Sequence, residues 1–177
     1  MKKTGKITLS AILSALVSVF MITSFFPYLT YGIPALASLF IMVAVVEMGV
    51  KWGFAVYIVS ALLVAILPGE PEAKLIYIAL LGYYPALKAI LENKLNRVLE
   101  YVIKFAVFNA MLLLTYGVIA GIFGIELGDM GEFGKYTAVI LIAAANLVFI
   151  IYDIMITRVS VWYSFKIHKK ISRYLNK

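Results

Sequence analysis

Six apolar runs of membrane-spanning length occupy almost the whole of this chain, at residues 7–27, 33–50, 52–68, 74–92, 98–123 and 136–163. One helical crossing of the hydrocarbon core takes roughly 20 apolar residues, and a helix satisfies its backbone polar groups without water. The loops between the runs are short, which leaves no room for a soluble domain. The expected fold class is therefore an all-α integral membrane protein with six transmembrane helices in a single domain, residues 1–177. Composition agrees: 64% of residues are hydrophobic, 14% are charged and the mean hydropathy is +1.00. Soluble domains sit nearer 45–50% and about 25%. The first run follows a basic start, but it is longer than a signal-peptide core and no small-residue cleavage site follows it, so it reads as retained.

The distribution of Lys and Arg sets the topology. One side collects Lys2, Lys3, Lys6, Lys51, Lys88, Lys94, Arg97, Lys104, Arg158, Lys166, Lys169, Lys170, Arg173 and Lys177. The other collects Lys74 and Lys135 beside Glu70, Glu72, Glu126, Asp129 and Glu132. Both termini are accordingly expected in the cytoplasm, with the protein multi-pass in the plasma membrane. The net charge of +7 then points to anionic lipid and not to nucleic acid. The basic tail, 164–177, is expected to lie on the inner surface, where each Lys or Arg is worth about 1 kcal/mol.

Recognisable catalytic chemistry is missing. There is no cysteine and a single histidine, His168, which removes the usual metal ligands and any disulfide. No nucleophile elbow, zinc-protease signature or phosphate-binding Gly-rich loop is found. An enzyme is not expected, nor a cofactor. The polar residues within the runs carry the remaining information, because each costs a few kcal/mol unless paired or wet. Lys104 is placed at a depth where it approaches and neutralises Asp153. Asn109 and Asn146 fall on the fifth and sixth runs, which are expected to face one another. Glu47 with Lys51, and Lys88 with Glu92, are spaced i,i+4 and read as local ion pairs.

Tyr28, Tyr31, Tyr136, Tyr163 and Tyr174 fall where an interfacial belt is expected. Tyr77, Tyr83, Tyr84 and Tyr116 fall inside the fourth and fifth runs, and "GYYPALK" adds Gly82 and Pro85. Pro85 removes the hydrogen bond to Leu81 and predicts a kink. Outside, "FPYLTYGIP" reads as an uncharged plug or lid. The segments "PGEPEAK" and "GIELGDMGEFGK" read as acidic, flexible covers or simply as the complement of the positive-inside bias. The turn joining the second and third runs lies in "MGVKWG", marked by Gly49, Lys51 and Gly53.

The first run carries a strip of small residues, Ser10, Ala11, Ser14, Ala15 and Ser18, on one side of an otherwise apolar helix. A smooth strip lets another helix approach closely, whether a partner's or the chain's own. With the six runs, the Ala-x-x-x-Ala from Ala11 to Ala15, "EMGVKWGFAVYIVSALLVAIL" and "ALLGYYPALKAILENK", the chain resembles the substrate-binding S components of energy-coupling factor (ECF) transporters. The resemblance covers the first half by motif and the second half by helix count. It implies an S-component-like bundle that captures a small organic solute, such as a vitamin, at the outer face. It also implies docking through the small-residue strip on a membrane-embedded T component driven by separate ATPase subunits. The expected solute contacts, by depth and orientation, are Tyr31, Tyr77, Tyr116 and Asn146. The metal-carrying members begin Met-His, whereas Lys2 and Lys3 follow Met1 here, so a nickel or cobalt cargo is not expected.

Two other readings fit the same pattern. A non-transporting scaffold similar to the rod-shape protein MreD uses such a strip and tail without any cavity in its outer half. An ion-coupled carrier would work through Asp153, although no inverted repeat is visible.

Overall fold

The computed structural model describes residues 3–26, 29–123 and 136–168. Among these residues all regular structure is helical. Helix α1 covers Lys3–Ile22 and ends in a short 3-10 turn, Thr23–Phe25. Helices α2, Gly32–Met48, and α3, Val50–Ile66, form an antiparallel hairpin. The fourth rod is composite: α4, Pro71–Leu75, a π-helical segment at Ile76–Leu81, and α5, Tyr84–Lys94. Helix α6, Arg97–Phe123, and helix α7, Tyr136–Tyr163, follow, with a second π-helical segment at Ser164–His168 closing α7.

Four of these rods, Lys3–Phe25, Pro71–Lys94, Arg97–Gly117 and Val139–His168, are long and apolar enough to cross a membrane. Helices α2 and α3 are equally apolar but have 17 residues each. That corresponds to about 26 Å, just short of a typical hydrocarbon core.

The hairpin turns on Gly49, whose φ of +94° is open to glycine at little cost. Gly53 has a different task from the turn expected of it. It lies within α3, where an added Cβ would sit 2.3 Å from Val45 Cγ2, so its missing side chain sets how closely α2 and α3 approach. Helices α1, α2 and α3 pack mutually, with Leu13, Val17, Ala37, Ile41, Ala44 and Val56 in their core. Helix α2 also touches α5, α7 and the first π-helical segment, which places it at the centre of the bundle. A second core joins the fourth rod to α6 and α7, where Phe149 stacks on Phe108 at 4.2 Å and meets Tyr84 edge-on at 5.0 Å.

The kink expected at Pro85 is present, and its hydrogen-bond accounting explains the π-helical segment. Pro85 has no N–H for the Leu81 carbonyl, and the Tyr152 hydroxyl, whose single proton is shared with Ser38 Oγ at 2.7 Å, stands in for it at 2.9 Å. Gly82 N–H donates to Tyr77 at 2.7 Å, five residues back. The Ile78 carbonyl it would otherwise have met accepts from the Tyr57 hydroxyl at 2.6 Å. Two tyrosines from neighbouring helices thus replace two lost helical bonds, as buried carbonyls require. A Cβ on Gly82 would lie 2.6 Å from the Tyr77 carbonyl oxygen, so the tightened turn also needs glycine.

Charges separate along the bundle. The start of α1, the α2–α3 turn, the end of α5, the start of α6 and the end of α7 gather Lys3, Lys6, Lys51, Lys94, Arg97 and Lys166 at one end. Glu70 and Glu72 lie at the other, with Lys74 beside them. The expected Glu47–Lys51 pair does not form. Gly49 breaks the helix between them, so i,i+4 spacing no longer places them on one face, and Lys51 is exposed. Glu47 instead accepts from the Tyr163 hydroxyl at 2.9 Å and lies 3.1 Å from His168 Nδ1. Tyr163 is consequently buried, not in an exposed belt as its position in the sequence suggests. Tyr31 and Tyr136 are exposed. Tyr28, Tyr174, the segment "GIELGDMGEFGK" and the tail beyond His168 lie outside the described residues.

Candidate functional site

Two polar sites stand at opposite depths in the bundle. The deeper one is a charge cluster between α5, α6 and α7. Asp153 is buried and accepts through Oδ1 from Lys88 and from the Tyr84 hydroxyl, with Lys104 Nζ at 3.2 Å. Lys88 also pairs with Glu92 at 2.8 Å, while Lys104 pairs with Glu100 and lies 3.2 Å from Glu92. Three carboxylates thus meet two ammonium groups. The expected approach of Lys104 to Asp153 is present, and so is the local Lys88–Glu92 pair. Sequence reasoning missed that Lys88 and Tyr84 also converge on Asp153. Such a saturated network suits holding helices together, because each buried charge already has its partners. Near the middle of the bundle, Asn109 and Asn146 exchange side-chain amide bonds of 2.9 Å and join α6 to α7, as their facing runs predict.

The second site is a cavity of about 540 Å³ at the acidic end. Its rim is formed by Tyr31, at the start of α2, with Glu70 and Glu72 at the start of α4. The Tyr31 hydroxyl donates to Glu72 Oε2 at 3.4 Å. The charge of Glu72 beside it, with some desolvation and this hydrogen bond, pushes the phenol above its ordinary pKa. Leu75, Ile76 and Leu80 of the fourth rod and Leu112 of α6 supply apolar wall. Thr115 and Tyr116 of α6 complete it. Thr115 donates to the Met111 carbonyl at 2.7 Å. The Tyr116 hydroxyl oxygen is buried with no partner among the described residues.

The four residues singled out from the sequence separate here. Tyr31 and Tyr116 line this cavity together. Tyr77 does not: it is wholly buried in the α1–α3 core, and its hydroxyl is 2.7 Å from that of Ser60 on α3. Asn146 does not line it either, being engaged with Asn109. Glu70 and Glu72, read from the sequence as a flexible acidic cover, belong to the wall. Their signal was their position directly after "LPG", where a new helix begins with two carboxylates that no basic residue follows until Lys74.

The small-residue strip on α1 is divided between two environments. Ser14 and Ser18 are buried, with Ser14 Oγ 3.4 Å from the Val56 carbonyl oxygen of α3, and Ser10 Oγ is 3.8 Å from Met48 Sδ. These three serve the close packing of α1 on its own neighbours. Ala11 and Ala15 are exposed, beside exposed Ile12, Leu16 and Val19.

Comparison with protein-family models, with curated proteins and with solved structures returns no match to this chain. The fold and composition define an all-helical membrane protein.

Proposed function

We propose that this chain is the solute-binding membrane subunit of an ECF-type uptake system. All six rods cross the plasma membrane, both termini face the cytoplasm, and the basic end contacts anionic lipid. A small organic solute enters the cavity from outside, and the protein docks through α1 on a T component whose ATPase subunits supply the energy. The single observation that carries this reading is the cavity of about 540 Å³ at the acidic end, within the 300–1,000 Å³ range of small-molecule sites. A scaffold of the MreD kind needs no such cavity. An ion-coupled role for Asp153 is disfavoured because two lysines and a tyrosine already engage it.

Docking then falls to Ala11 and Ala15, the exposed members of the strip. The test is co-purification from the native membrane, with wild type compared against Ala11→Leu/Ala15→Leu. Wild type is expected to recover a T-type membrane protein, two ATPases and a small molecule. The double variant is expected to lose the proteins and keep the small molecule. Recovery of cytoskeletal or cell-wall proteins without a small molecule would overturn the proposal. Ser14→Leu/Ser18→Leu serves as a contrast and is expected to destabilise the isolated chain itself.

A further inference from the structure

We infer that the cavity takes an amphipathic organic cation: an aromatic or aliphatic body carrying an amine, quaternary ammonium or comparable positive group. This deepens the solute-binding reading above and rests on it. The argument begins with sign. Glu70 and Glu72 stand on the cavity wall, and among the described residues neither is ion-paired. Among the described residues no Lys or Arg lines the cavity. Lys74, the one cation nearby on the same helix, is not part of the lining, so an anion in the cavity would meet two carboxylates first, in a recess whose apolar walls weaken screening.

The remaining chemistry agrees with the sign. Tyr31 and Tyr116 offer ring faces and hydroxyls, and phenol rings attract ammonium groups electrostatically. The Tyr116 hydroxyl, buried with no partner among the described residues, retains a hydrogen-bonding group for a polar atom on the ligand. Leu75, Leu80 and Leu112 supply the apolar surface that receives the body. Recognition is thus divided, with charge at the rim and hydrocarbon along the wall.

The test uses the full chain in nanodiscs of zwitterionic phosphatidylcholine, so that lipid contributes no net charge. Equilibrium dialysis compares radiolabelled benzyltrimethylammonium with its uncharged carbon isostere, neopentylbenzene, and with benzenesulfonate, each corrected for empty nanodiscs. The cation is expected to bind saturably and at least tenfold more tightly than either of the others. Glu70→Gln/Glu72→Gln is expected to weaken the cation at least tenfold while leaving the isostere unchanged. Both carboxylates stand at the accessible rim, and the wild-type selectivity series needs no variant to fold. Equal or tighter binding of the isostere or the sulfonate overturns the cation assignment while leaving a solute-binding cavity. Full cation affinity in the double variant does the same. Absence of saturable binding by all three overturns the assignment too, and the solute-binding reading is then decided separately by the co-purification.

Discussion

Asp153 is a carboxylate placed where membrane proteins rarely tolerate one, and its neighbours explain the tolerance. Lys88, Lys104 and Tyr84 share one of its oxygens, so removing the carboxylate takes one partner from each of two buried ammonium groups and leaves Lys88 only the half-exposed Glu92. Asp153→Asn is expected to lower stability on the order of 3 kcal/mol, read from the unfolding transition of the purified protein in detergent. Glu92 belongs to the same network, but its side chain is 41% exposed. Glu92→Gln is accordingly expected to cost under about 1 kcal/mol. Equal effects would show that burial does not rank these groups. The Lys104–Asp153 approach was legible from the sequence because both residues lie on regular helices, where depth follows directly from residue count. Lys88 and Tyr84 were not, because they follow the π-helical segment. A π turn rotates every later side chain relative to a 3.6-residue periodicity.

At the scale of the element, the fourth rod is the informative one. The sequence showed that Pro85 would kink it, but not where the orphaned carbonyl would find a donor, since Tyr152 lies far along the chain on α7. Tyr152→Phe is expected to destabilise by about 1–2 kcal/mol, because it removes the hydroxyl that the Leu81 carbonyl shares with Ser38 Oγ. Pro85→Ala restores an N–H able to serve that carbonyl, so the tyrosine substitution should cost clearly less in that background. A double-mutant cycle with strictly additive effects would count against this exchange of donors. Gly53 teaches a similar lesson. A glycine required by a turn and one required by close helix packing look alike in sequence, and only the Val45 contact separates them.

For the whole molecule, the number of rods was written in the alternation of apolar runs and breakers. The cavity was not, because its walls come from Tyr31 ahead of α2, the first half of the fourth rod and α6, which are distant in sequence. Its acidic rim also coincides with the charge bias that any such topology produces. The proposed six-span arrangement has a direct check, since the chain contains no cysteine and single cysteines can be introduced without background. An impermeant maleimide should label Glu72→Cys in intact cells, and Lys51→Cys and Lys94→Cys only after permeabilisation. Labelling of Lys51→Cys in intact cells would mean that the α2–α3 hairpin does not cross.

That hairpin also has a consequence for biosynthesis. One residue, Gly49, separates α2 from α3, so the chain has no loop in which to pause between them. Once both have left the ribosome, the first turn of α3 is already within reach of α2. In the proposed six-span arrangement, a helix of 17 residues that is marginal alone is expected to enter the membrane together with its partner, as a single antiparallel unit. Lengthening the connector with a flexible insert would separate these events and leave α2 to enter the bilayer unaccompanied.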